Sequence, residues 1–236
     1  MTFKRFFALT LLLVAFLAAS PPGYAQGPGD FVLGETSVMV PANGTATLAF
    51  ETFCLDFGKA FPTTLGTPDG RADESVLQVV REAIENDMAE DEPLALQLAV
   101  WSLREDTPAT ELYPDDELPV EETAAKLLTD SEDGSLSALR TDRGISLDEA
   151  VADGSIQATS SDFSFVETDT VRPDEEPYHG RGTLTLKNTT DKPIEVYFPF
   201  GTVFKAANED EQDIVAYAVE LEQLATATVA PTNTPA

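Results

Sequence analysis

Thr45-Ala46-Thr47-Leu48-Ala49-Phe50-Glu51-Thr52-Phe53-Cys54 alternates residue by residue. Ala46, Leu48, Phe50 and Thr52 fall on one face, and Thr47, Ala49, Glu51 and Phe53 on the other. A period of two is the signature of a β-strand. Upstream stand Phe31-Val32-Leu33 and Ser37-Val38-Met39-Val40, joined to the alternating run by Pro41-Ala42-Asn43-Gly44, a turn by composition. Residues 31–54 therefore predict a β-hairpin. A lone hairpin is not stable, so more strands are required elsewhere.

They come late in the chain. Phe163-Ser164-Phe165, Thr183-Leu184-Thr185-Leu186, Ile194-Glu195-Val196-Tyr197-Phe198 and residues 214–219 all read as strands, with a turn at 188–193 between two of them. Between the two strand groups the period changes to that of helices. Residues 58–71 are rich in Gly and Pro and predict a loop. Val76, Leu77, Val80, Ala83 and Ile84 recur at helical spacing and predict a helix over 73–87. Asp91 can cap a second helix, with Pro93 in its first turn, running to about Arg104. A third is expected over 120–129. Ser146-Leu147-Asp148-Glu149 has the spacing of a capping box and opens a short helix ending near Gly154. The fold class read from this pattern is α+β: a β-sandwich-like core built from the N-terminal hairpin and the C-terminal strands. One β-rich domain would cover 26–224, with a helical insertion at about 72–153.

The ends are different. Lys4 and Arg5 precede an apolar run, and Pro21-Pro22 and the small residues up to Ala25 follow it. Residues 1–25 read as a signal peptide, which makes the mature chain secreted, at the cell surface or extracellular. Residues 225–236 are rich in Ala, Thr and Pro, and a disordered tail is expected there.

Composition narrows the functions. The 236 residues carry 14 Lys+Arg against 42 Asp+Glu, a net charge of -28. So acidic a surface lacks the cations that displace counterions from nucleic acid or anionic lipid. One Cys and one His exclude a disulfide framework, a Cys-rich zinc site and a multi-histidine metal centre. No cofactor or resident metal is expected. The acidic runs at 130–134 and 208–213 lack the alternating ligands of an EF-hand loop and read as solvated faces. Asn43-Gly44-Thr45 and Asn188-Thr189-Thr190 fit a glycosylation sequon but read as turns.

Two residues stand out. Gln97 lies in Leu94-Ala95-Leu96-Gln97-Leu98-Ala99-Val100-Trp101-Ser102-Leu103, a helix apolar nearly all round and so interior. A buried amide left unpaired costs about 1–3 kcal/mol. Cys54 is the one thiol of an exported chain. A cysteine sulfur can attack a glutamine side-chain carbonyl and expel ammonia, leaving an internal thioester. That would consume thiol and amide together in a dry pocket, with Trp101, one turn beyond Gln97, as its shield. The alternative is a small buried thiol packed as a hydrophobe, with Gln97 bonded to backbone.

At these residues the chain resembles the thioester domains of Gram-positive surface adhesins. Gln97-Leu98-Ala99-Val100-Trp101 matches their Gln-x-Ala-Ile/Val-Trp motif, and Phe53-Cys54 matches their cysteine side. Leu96 stands where that family has Thr or Pro, and the spacing from Cys54 to Gln97 is short for it. The resemblance implies a secreted bacterial module that captures a nucleophile on a surface protein or glycan, with Cys54 and Gln97 forming the bond. It reacts once and is no enzyme of turnover. The alternative is a non-covalent structural or binding β-sandwich of the envelope with an inert Cys54. A Cys54–His179 nucleophilic pair is a distant third, since His179 falls in a polar, turn-rich stretch and reads as solvated.

Overall fold

The computed structural model describes residues 36–112, 120–131, 144–165 and 178–224; the expected signal peptide (1–25) and tail (225–236) lie outside them. In chain order the elements are β1 (Thr36–Val40), β2 (Thr45–Cys54), β3 (Thr67–Arg71), α1 (Glu74–Glu85), α2 (Met88–Asp91), α3 (Pro93–Glu105), α4 (Ala109–Leu112) and α5 (Val120–Ser131). They continue with β4 (Ile145–Ser146), α6 (Leu147–Ala152), β5 (Ile156–Phe165), β6 (His179–Asn188), β7 (Ile194–Phe198), β8 (Thr202–Lys205) and β9 (Ile214–Leu224). The class is α+β: two mostly antiparallel sheets, ordered β1-β7-β4 and β3-β8-β9-β2-β6-β5, together with helices.

The alternating run is a central strand. β2 pairs antiparallel with both β6 and β9. Ala46, Leu48, Phe50, Thr52 and Cys54 are buried, while the residues between them up to Glu51 are half-exposed, as alternation requires. Phe50 stacks with Phe163 and Phe204 in the core.

The N-terminal hairpin does not form. β1 pairs with β7 in the smaller sheet, whereas β2 belongs to the larger. Pro41-Ala42-Asn43-Gly44 is an arch that carries the chain from one sheet to the other. Asn43 takes a left-handed φ of 52°, and the Gly44 N–H closes the turn on the Pro41 carbonyl at 2.9 Å. The hairpin's hydrogen bonds go instead to the turn after β6. Asn188 donates its side-chain amide to the carbonyls of Val40 and Lys192 at 3.1 and 2.7 Å, and the Asn43 N–H reaches the Thr190 carbonyl at 2.9 Å. Asn188 Oδ1 accepts from the Thr190 N–H and hydroxyl, both at 2.8 Å. Both sequon asparagines thus serve turns.

Two strands were not legible as such. β3 and β8 pair with each other, β3 within the Gly/Pro-rich stretch taken for a loop. β8 then joins the large sheet beside β9. Helix α1 buries Val76, Leu77, Val79, Val80 and Ala83 on one stripe. Asp91 ends α2, and Glu92 stands at the N-cap of α3, with Pro93 in the first turn. Every residue of α3 from Leu94 to Ser102 is buried, and the helix packs against α1 and α5. Gly201, with φ of 77°, turns the chain from β7 into β8 directly under Leu77 of α1, where a Cβ would collide with that side chain.

Replacing Asn188 by Ala should lower unfolding free energy by about 1–3 kcal/mol, since buried carbonyls lose their donor. A urea titration with an unchanged denaturant slope checks this. A midpoint equal to that of the parent would mean the arch is held by other groups.

Candidate functional site

The end of β2 meets the middle of α3. Cys54 is the last residue of the strand, and Gln97 lies in the second turn of the helix. Both are 0 % exposed. The Cys54 N–H donates to Gln97 Oε1 at 3.0 Å, and Gln97 Nε2 donates to the Cys54 carbonyl at 2.7 Å. The side-chain amide exchanges two hydrogen bonds with one residue, as a neighbouring strand would. The same N–H also reaches the Tyr178 carbonyl at 3.1 Å. The buried amide is therefore satisfied by backbone, and by the backbone of the residue that carries the thiol.

Aromatic side chains close the site. Trp101, one turn after Gln97, is 6 % exposed. It meets Phe57 and Tyr178 edge-on, with ring centroids 5.2 and 6.4 Å apart. Its indole N–H donates to Gln212 Oε1 at 3.3 Å, and Gln212 donates to the Lys59 carbonyl at 2.9 Å. Phe57 is partly exposed at 37 %, so it forms the outer edge of this cover. The sequence pointed to Cys54, Gln97 and Trp101; the structure joins Cys54 and Gln97 by hydrogen bonds, with Trp101 buried one turn further along α3. It adds Phe57, Tyr178 and Gln212. An aromatic three residues beyond Cys54 was the available signal for Phe57; nothing local marks Gln212.

His179 is not solvated. It opens β6, is 8 % exposed and stacks on Phe53 at 5.0 Å. The Tyr217 hydroxyl donates to Glu51 Oε2 at 2.7 Å. That hydroxyl has one proton, so at the 3.0 Å contact with the Tyr217 oxygen His179 Nε2 is the donor. Nε2 also lies 3.3 Å from Glu51 Oε2. Strand alternation sends the Phe53 and Cys54 side chains to opposite faces of β2. The imidazole thus engages Glu51 and Tyr217 beside Phe53. Burial alone would push the Glu51 carboxyl up. The hydrogen bonds from His179 and Tyr217, with the nearby positive charge of His179 and Arg181, hold it below the ordinary glutamate value.

Among the described residues no group of three or more His, Cys, Asp and Glu side chains is placed to hold a metal ion, and no helix is long and apolar enough to cross a membrane. In comparisons with family models, curated proteins and solved structures, nothing matches this chain.

A carboxyl depressed in the folded state adds stability that is complete above its unfolded value, about 4.5, and is lost as pH falls through the lower folded value. Glu51→Gln should therefore lower stability at pH 7 by about 1–3 kcal/mol and flatten the acid limb below pH 4.5. Urea midpoints of both proteins from pH 7 to 3 test this. Parallel acid limbs would show that Glu51 is not the group responsible.

Proposed function

We propose that the chain is a secreted bacterial capture module in which Cys54 and Gln97 condense to an internal thioester. The observation that carries this reading is the double hydrogen bond of the Gln97 amide to the backbone of Cys54, in a fully buried site under Trp101. In the first step the Cys54 sulfur adds to the Gln97 amide carbon. The carbon–nitrogen bond breaks, and the nitrogen leaves as ammonia with the thiol proton. In the second step an amine or hydroxyl of a surface protein or glycan attacks the same carbon. The carbon–sulfur bond breaks, the incoming group loses its proton, and the thiol returns. The target stays joined through an amide or ester, so the module acts once, without turnover or cofactor.

Exclusion of water supports this reading, because a thioester in contact with solvent hydrolyses. The cover of Trp101, Phe57 and Tyr178 meets that requirement, with Phe57 as the edge that a target would displace. In this reading residues 26–224 form one β-sandwich-like domain with the helical insertion at about 72–153, presented outside the cell after removal of residues 1–25.

A second reading draws on the same contact. Two backbone hydrogen bonds already satisfy Gln97, which is what a purely structural amide would do. The chain would then be a non-covalent envelope or binding protein with an inert Cys54.

Intact mass separates the two. The purified mature protein is expected one ammonia lighter than its sequence, with no titratable thiol when unfolded. Incubation with methylamine should add one methylamine and free one thiol. Cys54→Ala should show the full calculated mass and no adduct. A full mass for the parent protein, with a thiol that titrates on unfolding, overturns the thioester and leaves the structural reading.

A further inference from the structure

Beyond the Cys54–Gln97 contact lies a pocket in which Arg71, Arg104 and Lys205 gather. A cavity of about 190 Å³ is lined by Leu55, Asp69, Arg71, Asp73, Arg104 and Lys205, among others. Acids outnumber cations three to one in the sequence, 42 to 14. In this lining the cations lead by three to two. Asp56 and Asp213 pair with Arg104 and Lys205 and offset that lead, which leaves Arg71 as the cation of the lining without a carboxylate partner among the described residues.

The three cations are not equally engaged. Lys205 is tied to Asp213 at 2.6 Å, and Arg104 is shared between Asp73 and Asp56 at 3.2 and 3.5 Å. Arg71 is half-buried, and its Nε donates to the Phe200 carbonyl at 2.8 Å, which fixes the direction of the guanidinium. Among the described residues no carboxylate pairs with it. Its two terminal nitrogens remain as a fork suited to a carboxylate. Asp69 and Asp73 beside it are acceptors and would repel a second carboxylate, but they suit the hydroxyls of a sugar. An anion-binding arginine next to hydroxyl-accepting aspartates selects a polyhydroxylated acid over an acidic peptide.

We propose that this pocket binds an acidic sugar, its carboxylate on Arg71 and its hydroxyls toward Asp69 and Asp73. The site also lies close to the buried pair. Leu55 directly follows Cys54, and Arg104 is seven residues beyond Gln97, on the same face of α3 and about 10 Å along its axis. A uronate unit docked here would hold the next sugars of its glycan over the Trp101 cover. That role, as the docking subsite for the acyl acceptor, rests on the thioester reading; the binding itself does not.

The test is calorimetric titration of D-glucuronate into the full mature chain carrying Cys54→Ala, with D-glucose and inorganic phosphate as comparisons. Saturable binding of glucuronate, weakened by salt and at least about tenfold tighter than glucose or phosphate, is expected. Arg71→Gln should weaken it by at least about tenfold, and Lys205→Gln by less, with urea midpoints verifying that each variant is folded. Methylamine incorporation by an otherwise unaltered Arg71→Gln protein should stay at the parental level. No glucuronate binding, binding equalled by glucose, or phosphate binding as tightly overturns the sugar-acid site, even if methylamine is incorporated. Glucuronate binding in a protein that never incorporates methylamine supports the pocket and removes only its role beside a thioester.

Discussion

The architecture hinges on one side-chain amide. Hydrophobic burial explains why α3 lies inside, since it is apolar on almost every side. Burial is non-directional, however, and leaves the helix free to slide and rotate. The two hydrogen bonds between Gln97 and the backbone of Cys54 remove that freedom. They fix which turn of the helix meets the end of β2. Once that turn is set, Trp101 follows above it and Arg104 further along, and the aromatic cover and the cationic pocket take their places from the helical repeat.

Much of this was legible because it rests on local periodicity. The alternation of β2, the stripe of α1 and the buried character of α3 are each written within about a dozen residues. The sequence flagged Cys54 and Gln97 as two anomalies, a lone thiol and a buried amide, but that they meet is written in the fold and not in any local pattern. The arch at Pro41–Gly44 was not legible, because a turn sequence says that the chain reverses but not whether the two strands share a sheet. That choice is made by Asn188, far along the chain. β3 and β8 were obscured because a strand containing Pro68 and Gly70 owes its form to its partner rather than to propensity. His179 was misplaced because its neighbours in sequence are polar, while its neighbours in space, Phe53 and Tyr217, belong to other strands.

Excess negative charge imposes its own discipline. The partly buried carboxylates Glu51, Asp56 and Asp213, in and beside β2 and β9, are tied to donors. Glu51 has Tyr217 and His179. Burial raises Asp213, but hydrogen bonds from Lys205 and the Ala206 N–H hold its carboxyl below the ordinary aspartate value. Asp56 accepts the Asp213 N–H at 2.9 Å and lies beside Lys59 and Arg104. These ties join the segment after Cys54 to the one before β9, which also supplies Gln212 to the indole.

The chain has a single tryptophan, buried one turn beyond Gln97 on α3 and met edge-on by the more exposed Phe57. Its indole emission, excited to the red of tyrosine absorption, therefore has one source at one place. While the cover is shut the indole is in an apolar setting with its N–H on an amide oxygen, and its emission lies to the blue. Displacement of Phe57 would hydrate the ring and move the emission to the red. The state of the buried site can thus be followed in real time and without a label.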